Sequence, residues 1–361
     1  MRSPHSVSFR WHARVGAFAL AMALAGPGRA EAAEPFTSFR IIDTRPLKDG
    51  GASWDHVSVD VANRHVFVGR GPSGLLVLDA DTGAVITTIT DTKGSHGAAI
   101  AADLGVGFSD DGPGGDITVF DLKSLQPLTR FKAGETTDGV FYDPATRTGF
   151  VNNGAAGTLT LFDATTYEVK GTIDLATKRP EFADVDGRGR AFIDLQDRNA
   201  VAVIDLAAKR IASVWPIRDC ELPSSLMYEP QSKRIFVGCR GTKPVLAVLD
   251  ADSGATVATV PIGEGNDWVG FDSADKLVLL ANGASASLSV VRQQGPDGYE
   301  LEETVGTRPL ARTGTFDART GQLYLVCAQY ARPAKPPANS TMPNRIFPNT
   351  VEVLILKRTT E

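Results

Sequence analysis

A repeat of about 42 residues constrains this chain more than anything else in it. The first full copy runs from 54 to 90, WDHVSVDVANRHVFVGRGPSGLLVLDADTGAVITTIT. Within it DHVSVD and HVFVG flank a VANR turn, and LLVLD and AVITTIT flank an ADTG turn. Apolar residues alternate with small or polar ones in each stretch, the period of β-strands rather than helices. Aspartates closing the third stretch recur at Asp79, Asp121, Asp163, Asp205 and Asp250, in steps of 42, 42, 42 and 45, with Arg292 in the same place 42 residues on. The acid closing the first stretch recurs at Asp60, Asp103, Asp143, Asp186, Glu229, Asp272 and Asp317. A lone four-stranded sheet has two apolar faces and cannot bury both. Seven copies therefore predict an all-β chain folded as a seven-bladed β-propeller, each blade covering the next around a central channel.

The expected blades run roughly 54–90, 91–133, 134–175, 176–217, 218–262, 263–307 and 308–357. The last contains only three strands, RTGTFD, QLYLVCA and VEVLILK, while TSFRIIDTRPL at 37–47 stands alone before the first repeat. The count closes if this N-terminal strand is the outer strand of blade seven, which removes the open edge. Residues 33–361 are then one domain, with 33–53 as its closing segment. The large second-strand residues Phe67, Phe108, Phe150, Phe192, Phe236, Leu279 and Tyr324 are expected between blades.

Residues 1–32 read as a signal peptide: Arg2, Arg10 and Arg14, then the apolar run VGAFALAMALAG, then Ala30-Glu31-Ala32 as a cleavage site. That run is too short for a membrane span of ~20 residues. A soluble periplasmic or secreted protein, acting as a monomer, is expected. Without this segment 33 basic residues face 41 acidic ones, a net charge of −8 with no basic run. Phosphate-backbone binding needs Lys/Arg to displace counterions, so nucleic acid is an unfavoured partner.

Second strands ending VFVGRG, GFVNNG, IFVGCRG and VLLANG, each after an acid-centred turn, are similar to the YVTN-type repeat. The whole chain after residue 32 resembles the YncE-like family of exported bacterial seven-bladed propellers. The resemblance implies fold and compartment. It carries no agreed catalytic residues, so no site transfers from it.

In an up-and-down blade, positions just before each first strand gather around one mouth of the channel. One such position per blade gives Asp55, His96, Asp138, Glu181, Ser224, Asp267 and Arg312. Two interpretations stand. The acids could bond backbone N–H groups of the inter-blade turns, as Asp commonly does. Alternatively the ring, with His56 beside Asp55, binds a small polar ligand or a divalent cation. Asp55, His96, Asp138 and Glu181 lie on consecutive blades and form an arc for one ion; carboxylates suit calcium, while the imidazole favours zinc or another transition metal.

There is no G-x-S-x-G elbow, no phosphate-binding glycine loop, no H-E-x-x-H and no C-x-x-C-H in the chain. Cys220 precedes the first strand of blade five and Cys239 ends its second, so the hairpin brings both to one face and a disulfide is expected. Cys327 is left over. The segment 328–349, AQYARPAKPPANSTMPNRIFPN, interrupts blade seven between its second and third strands. Its prolines exclude a buried strand, and topology sends it toward the polar mouth, where Arg332, Lys335 or Arg345 could face the carboxylates. Two functions fit: a binding scaffold for a small polar ligand, metal or protein partner, or a lactonase- or esterase-like hydrolase using a mouth metal with an acid and a histidine.

Overall fold

The strand repeats resolve into seven antiparallel sheets of four strands each. The computed structural model describes Met1 and residues 37–48, 51–332 and 345–360. Beyond Met1, the segment expected to be a signal peptide lies outside the described residues, as does the middle of the proline-rich segment with Lys335. Blade one comprises Val57–Asp60, His65–Gly69, Leu75–Asp79 and Val85–Ile89, paired in sequence order. Five further blades repeat that order. Blade seven differs: Thr313–Asp317, Gln322–Cys327 and Glu352–Thr360 are joined by Thr37–Pro46, which pairs antiparallel with Glu352–Thr360 from Thr37↔Thr360 to Pro46↔Glu352. The N-terminal strand therefore closes the ring. No helix among the described residues is long and apolar enough to cross a membrane.

The recurring acids explain the regular turns. Asp79 Oδ1 accepts from the Asp81 and Thr82 amides at 3.0 and 2.7 Å, and Asp121 and Asp250 repeat this pattern. Asp60 does the same between the first and second strands, accepting from Ala62 and Asn63. These turn donors, led by Thr82, Ser124, Thr166 and Ser253, hold Asp79, Asp121, Asp163 and Asp250 below the usual carboxylate range. All lie on the face of the ring opposite the mouth. The seven large second-strand residues are buried between blades, as the pattern predicts. Tyr324, the polar one, donates its hydroxyl to the Ala80 carbonyl at 2.5 Å and so ties blade seven to blade one.

Cys220 and Cys239 form a disulfide with Cα atoms 5.5 Å apart; Cys327 is a buried free thiol. The two ends of the proline-rich segment are zipped by a two-rung ladder, Tyr330–Ala331 with Arg345–Ile346. Ile346 packs on the core cluster shared by blades one and seven, and Arg345 is exposed.

Candidate ligand site at the channel mouth

The ring residues stand just before the inner strand in blades one, two, three and seven and second within it in blades four, five and six, and they reach the mouth by two geometries. In blades one, two, three and seven the ladder between first and second strands is regular. In blades four, five and six it slips just where the ring residue sits: between Pro180 and Ala183, Pro223 and Ser225, and Asn266 and Trp268. A bulge leaves a residue out of the ladder and re-aims its side chain. Ser224 and Asp267 are those residues in blades five and six, and in blade four Glu181 lies there with Phe182. All seven ring positions, with His56, line one cavity of about 500 Å³.

The ring divides into two halves. On one side Asp55, His96 and Asp138 converge, with one ligand atom from each within 4.8 Å of the others. Two metal–ligand bonds of ~2.0–2.4 Å span nearly this distance, so a small inward movement of Asp138 would seat one ion. The His96 ring is fixed from behind. Its Nδ1 lies 2.6 Å from Oδ2 of the fully buried Asp110, whose Oδ1 accepts from the His96 and Gly97 amides. Nδ1–H donation to Asp110 leaves Nε2 to face the cavity, 3.8 Å from Asp138. A carboxylate behind a ligating imidazole is the usual support of a metal-binding histidine. Burial alone would lower the imidazole, but the Asp110 hydrogen bond and the Asp110, Asp138 and Asp55 charges outweigh it and raise it to about 9. Burial, reinforced by Asp55 and partly offset by His96, raises Asp138 above the usual range.

On the other side Asp267 is clamped by two guanidiniums, Arg240 Nη1 at 2.8 Å and Arg312 Nη1. Glu181 stands apart from the converging trio, so the four-residue ion arc contracts to three. It pairs with Arg179 at 3.1 Å, and burial and the Asp267 charge push it up to about 7 against the pull of Arg240. Ser224 turns sideways and donates to the Asn266 carbonyl at 2.9 Å. No ring carboxylate accepts a backbone N–H among the described residues, so the inter-blade turns are not what these acids serve. Neither Arg332 nor Arg345 lines the cavity.

Below the mouth, the channel opens into a second cavity of about 380 Å³. His56 and Phe182 line both spaces, and their rings touch across the channel, centroids 4.8 Å apart, forming a closed neck between the two cavities. Gly97 makes room for this neck, since a Cβ there would meet the His56 Cβ at 2.6 Å.

No family model matches the chain, and no curated protein matches it. Solved structures do. Hydrazine synthase of Kuenenia stuttgartiensis aligns at 14% identity over 77% of this chain and 94% of that one, with TM-score 0.67. The WD40 repeats of RRP9 align at 12% over 89% and 100%, TM-score 0.71, and a chain of the mitotic checkpoint complex at 13% over 86% and 96%, TM-score 0.69. At such identities the likeness shows the propeller fold alone.

Several site residues escape the reading by period. Arg179 precedes the ring position of blade four, and Arg240 follows the second strand of blade five. Asp110 ends the second strand of blade two, and Arg70 directly follows that of blade one. Arg70 is fully buried and donates to the Ser53 carbonyl, bracing the approach to Asp55. The available signal was positional: counting from Phe108, a buried strand position carries an acid, Asp110, where blade one has Gly69.

Proposed function

We propose that this propeller is an exported binding protein that holds a divalent cation at Asp55, His96 and Asp138 and, through it, a small polar ligand. The recurring second-strand motifs support placement beside the YVTN-type, YncE-like propellers, and Arg2 to Ala32 supports export. The observation carrying the reading is His96: a buried carboxylate orients it, and two carboxylates from neighbouring blades converge on its free nitrogen. One imidazole with two carboxylates suits zinc or manganese better than calcium. Three protein ligands beside an open cavity leave room for an exogenous ligand on the ion.

A hydrolase reading has one specific observation in its favour. Glu181, raised to about 7, lines the same cavity and has the proton affinity of a general acid–base near neutral pH. A bound cation would polarise an ester or lactone carbonyl, and Glu181 would exchange the proton. The two readings separate in one assay. Zinc or manganese should raise the melting temperature of wild type and leave His96→Ala unchanged. A lactone and ester panel is then run on the loaded protein. Turnover lost in Glu181→Gln supports the hydrolase, and a melt indifferent to every ion removes the cation site.

A further inference from the structure

The channel beneath the mouth has a chemistry of its own. In all seven blades the inner-strand residue two past the ring position pairs with the residue just after the large second-strand one: Val57↔Val68, Ala98↔Ser109, Val140↔Val151, Ala183↔Ile193, Leu226↔Val237, Val269↔Leu280 and Gly314↔Leu325. This layer carries no polar side chain on its inner strands. Six of its residues line the cavity below the neck; Gly314 does not. Phe141, Met227 and Trp268 add aromatic and thioether surface. Asp184 is the one carboxylate of the lining, and its two oxygens accept the Val185 and Tyr228 amides at 2.8 Å each. It is thus bonded to the wall. An aromatic pair thus separates a polar mouth from an apolar chamber.

The mouth has a sign as well. Its lining holds four carboxylates, Asp55, Asp138, Glu181 and Asp267, against three guanidiniums, Arg179, Arg240 and Arg312. A divalent cation bound there, with His96 counted neutral as its ligand, leaves the lining with one net positive charge, and the complement is an anion.

We infer that the ligand is an amphiphilic carboxylate whose head meets the cation and arginines at the mouth and whose apolar tail turns the touching rings of His56 and Phe182 aside to enter the channel. This rests on the cation reading for the head and on the channel lining for the tail. From neck to channel floor is three residues of strand, ~10 Å, so a medium-length acyl chain or single aryl group fits.

The probes are straight-chain carboxylates from acetate to decanoate, titrated calorimetrically into the purified protein with and without saturating zinc, alongside matched alkylamines. With zinc, affinity should climb about fourfold per added methylene and level off between hexanoate and decanoate. Ala98→Phe and Ser58→Phe each narrow the channel away from the ion, and the Ser58 hydroxyl is buried without a partner, so its loss breaks no bond. Both variants should flatten the series while zinc affinity stays within about twofold. If one fails to fold, the other and the wild-type series decide. A flat wild-type series with zinc bound overturns the tail assignment, as does a slope that survives both substitutions. Amines binding as tightly as carboxylates overturn the anionic head. A slope without any zinc binding removes the cation reading and leaves the channel assignment standing.

Discussion

The two faces of this ring use the same residue, aspartate, for opposite ends. On the turn face each acid is engaged by its own hairpin: Asp79, Asp121 and Asp250 accept two amides apiece and sit below the usual carboxylate range. Among the described residues, Asp55, Asp138 and Glu181 at the mouth accept no amide, and Asp138 and Glu181 are pushed upward by burial and by other acids. One set lowers the energy of the fold. The other is held in place by it at a cost of about the size that functional sites commonly carry. Acids in a propeller repeat are therefore informative only once it is known which face they occupy.

The largest effect belongs to the strand on which both faces depend. Deleting residues 33–47 removes the whole pairing from Thr37↔Thr360 to Pro46↔Glu352, with buried Phe39 and Leu47, and exposes the edge of Glu352–Thr360. The truncated protein should aggregate or lose cooperative melting; a melt equal to that of the intact chain would contradict closure.

Next comes Asp317 on the turn face. It is fully buried and accepts from Arg64 of blade one at 2.7 Å, and from Thr320 and the Arg319 amide. Arg64 keeps its bonds to Asp81, so the loss is that of charge-assisted hydrogen bonds, ~1.5–3 kcal/mol. Asp317→Ala should therefore fall in that range by denaturant unfolding and leave ion binding at the mouth intact. Breaking the Cys220–Cys239 bond, which spans 19 residues, should cost ~3 kcal/mol. Thiol counting on the denatured, unreduced protein should find one free thiol, Cys327; three would mean the bond does not form.

How much of this could be read from the chain differs between the faces. Turn acids announce themselves, because a hairpin fixes its acid at one place in most repeats. The ring positions follow from the same period, so Asp55, His96 and Asp138 are legible. The bulges at Glu181, Ser224 and Asp267 are not, since one unpaired residue leaves the apolar alternation of the next strand unchanged. Asp110 was hidden for a different reason. It ends a strand, where a polar residue looks like the start of a loop, and only the folded ring puts it behind His96. The salt links of Asp267 with Arg240 and Arg312 join residues 27 and 45 positions apart, beyond any local pattern.

A smaller effect is expected with pH, and its sign separates the faces. His96, raised to about 9 against an unfolded value near 6.5, stabilises fully below 6.5 and loses that contribution as pH rises through 9. Glu181, raised to about 7 by burial and Asp267, likewise favours the fold when protonated and loses this between 4.5 and 7. The turn acids, lowered from their usual values, contribute above that range and lose it only as pH falls below about 4. The ion-free protein should lose a few degrees of melting temperature between pH 6 and 9, and zinc should restore more of it at the higher pH. A melt that rises across that interval without zinc would contradict this.

The central claim is that the mouth acids hold an ion and the turn acids do not. Calorimetric titration of metal-depleted protein with zinc, for wild type, Asp138→Asn and the turn-face control Asp121→Asn, tests it most directly. One ion per chain is predicted for wild type and Asp121→Asn, with affinity at least about 100-fold weaker in Asp138→Asn, since removing a ligand exceeds the ~10–100-fold that losing a group behind a ligand costs. No saturable binding by wild type, or equal binding by all three, would contradict it.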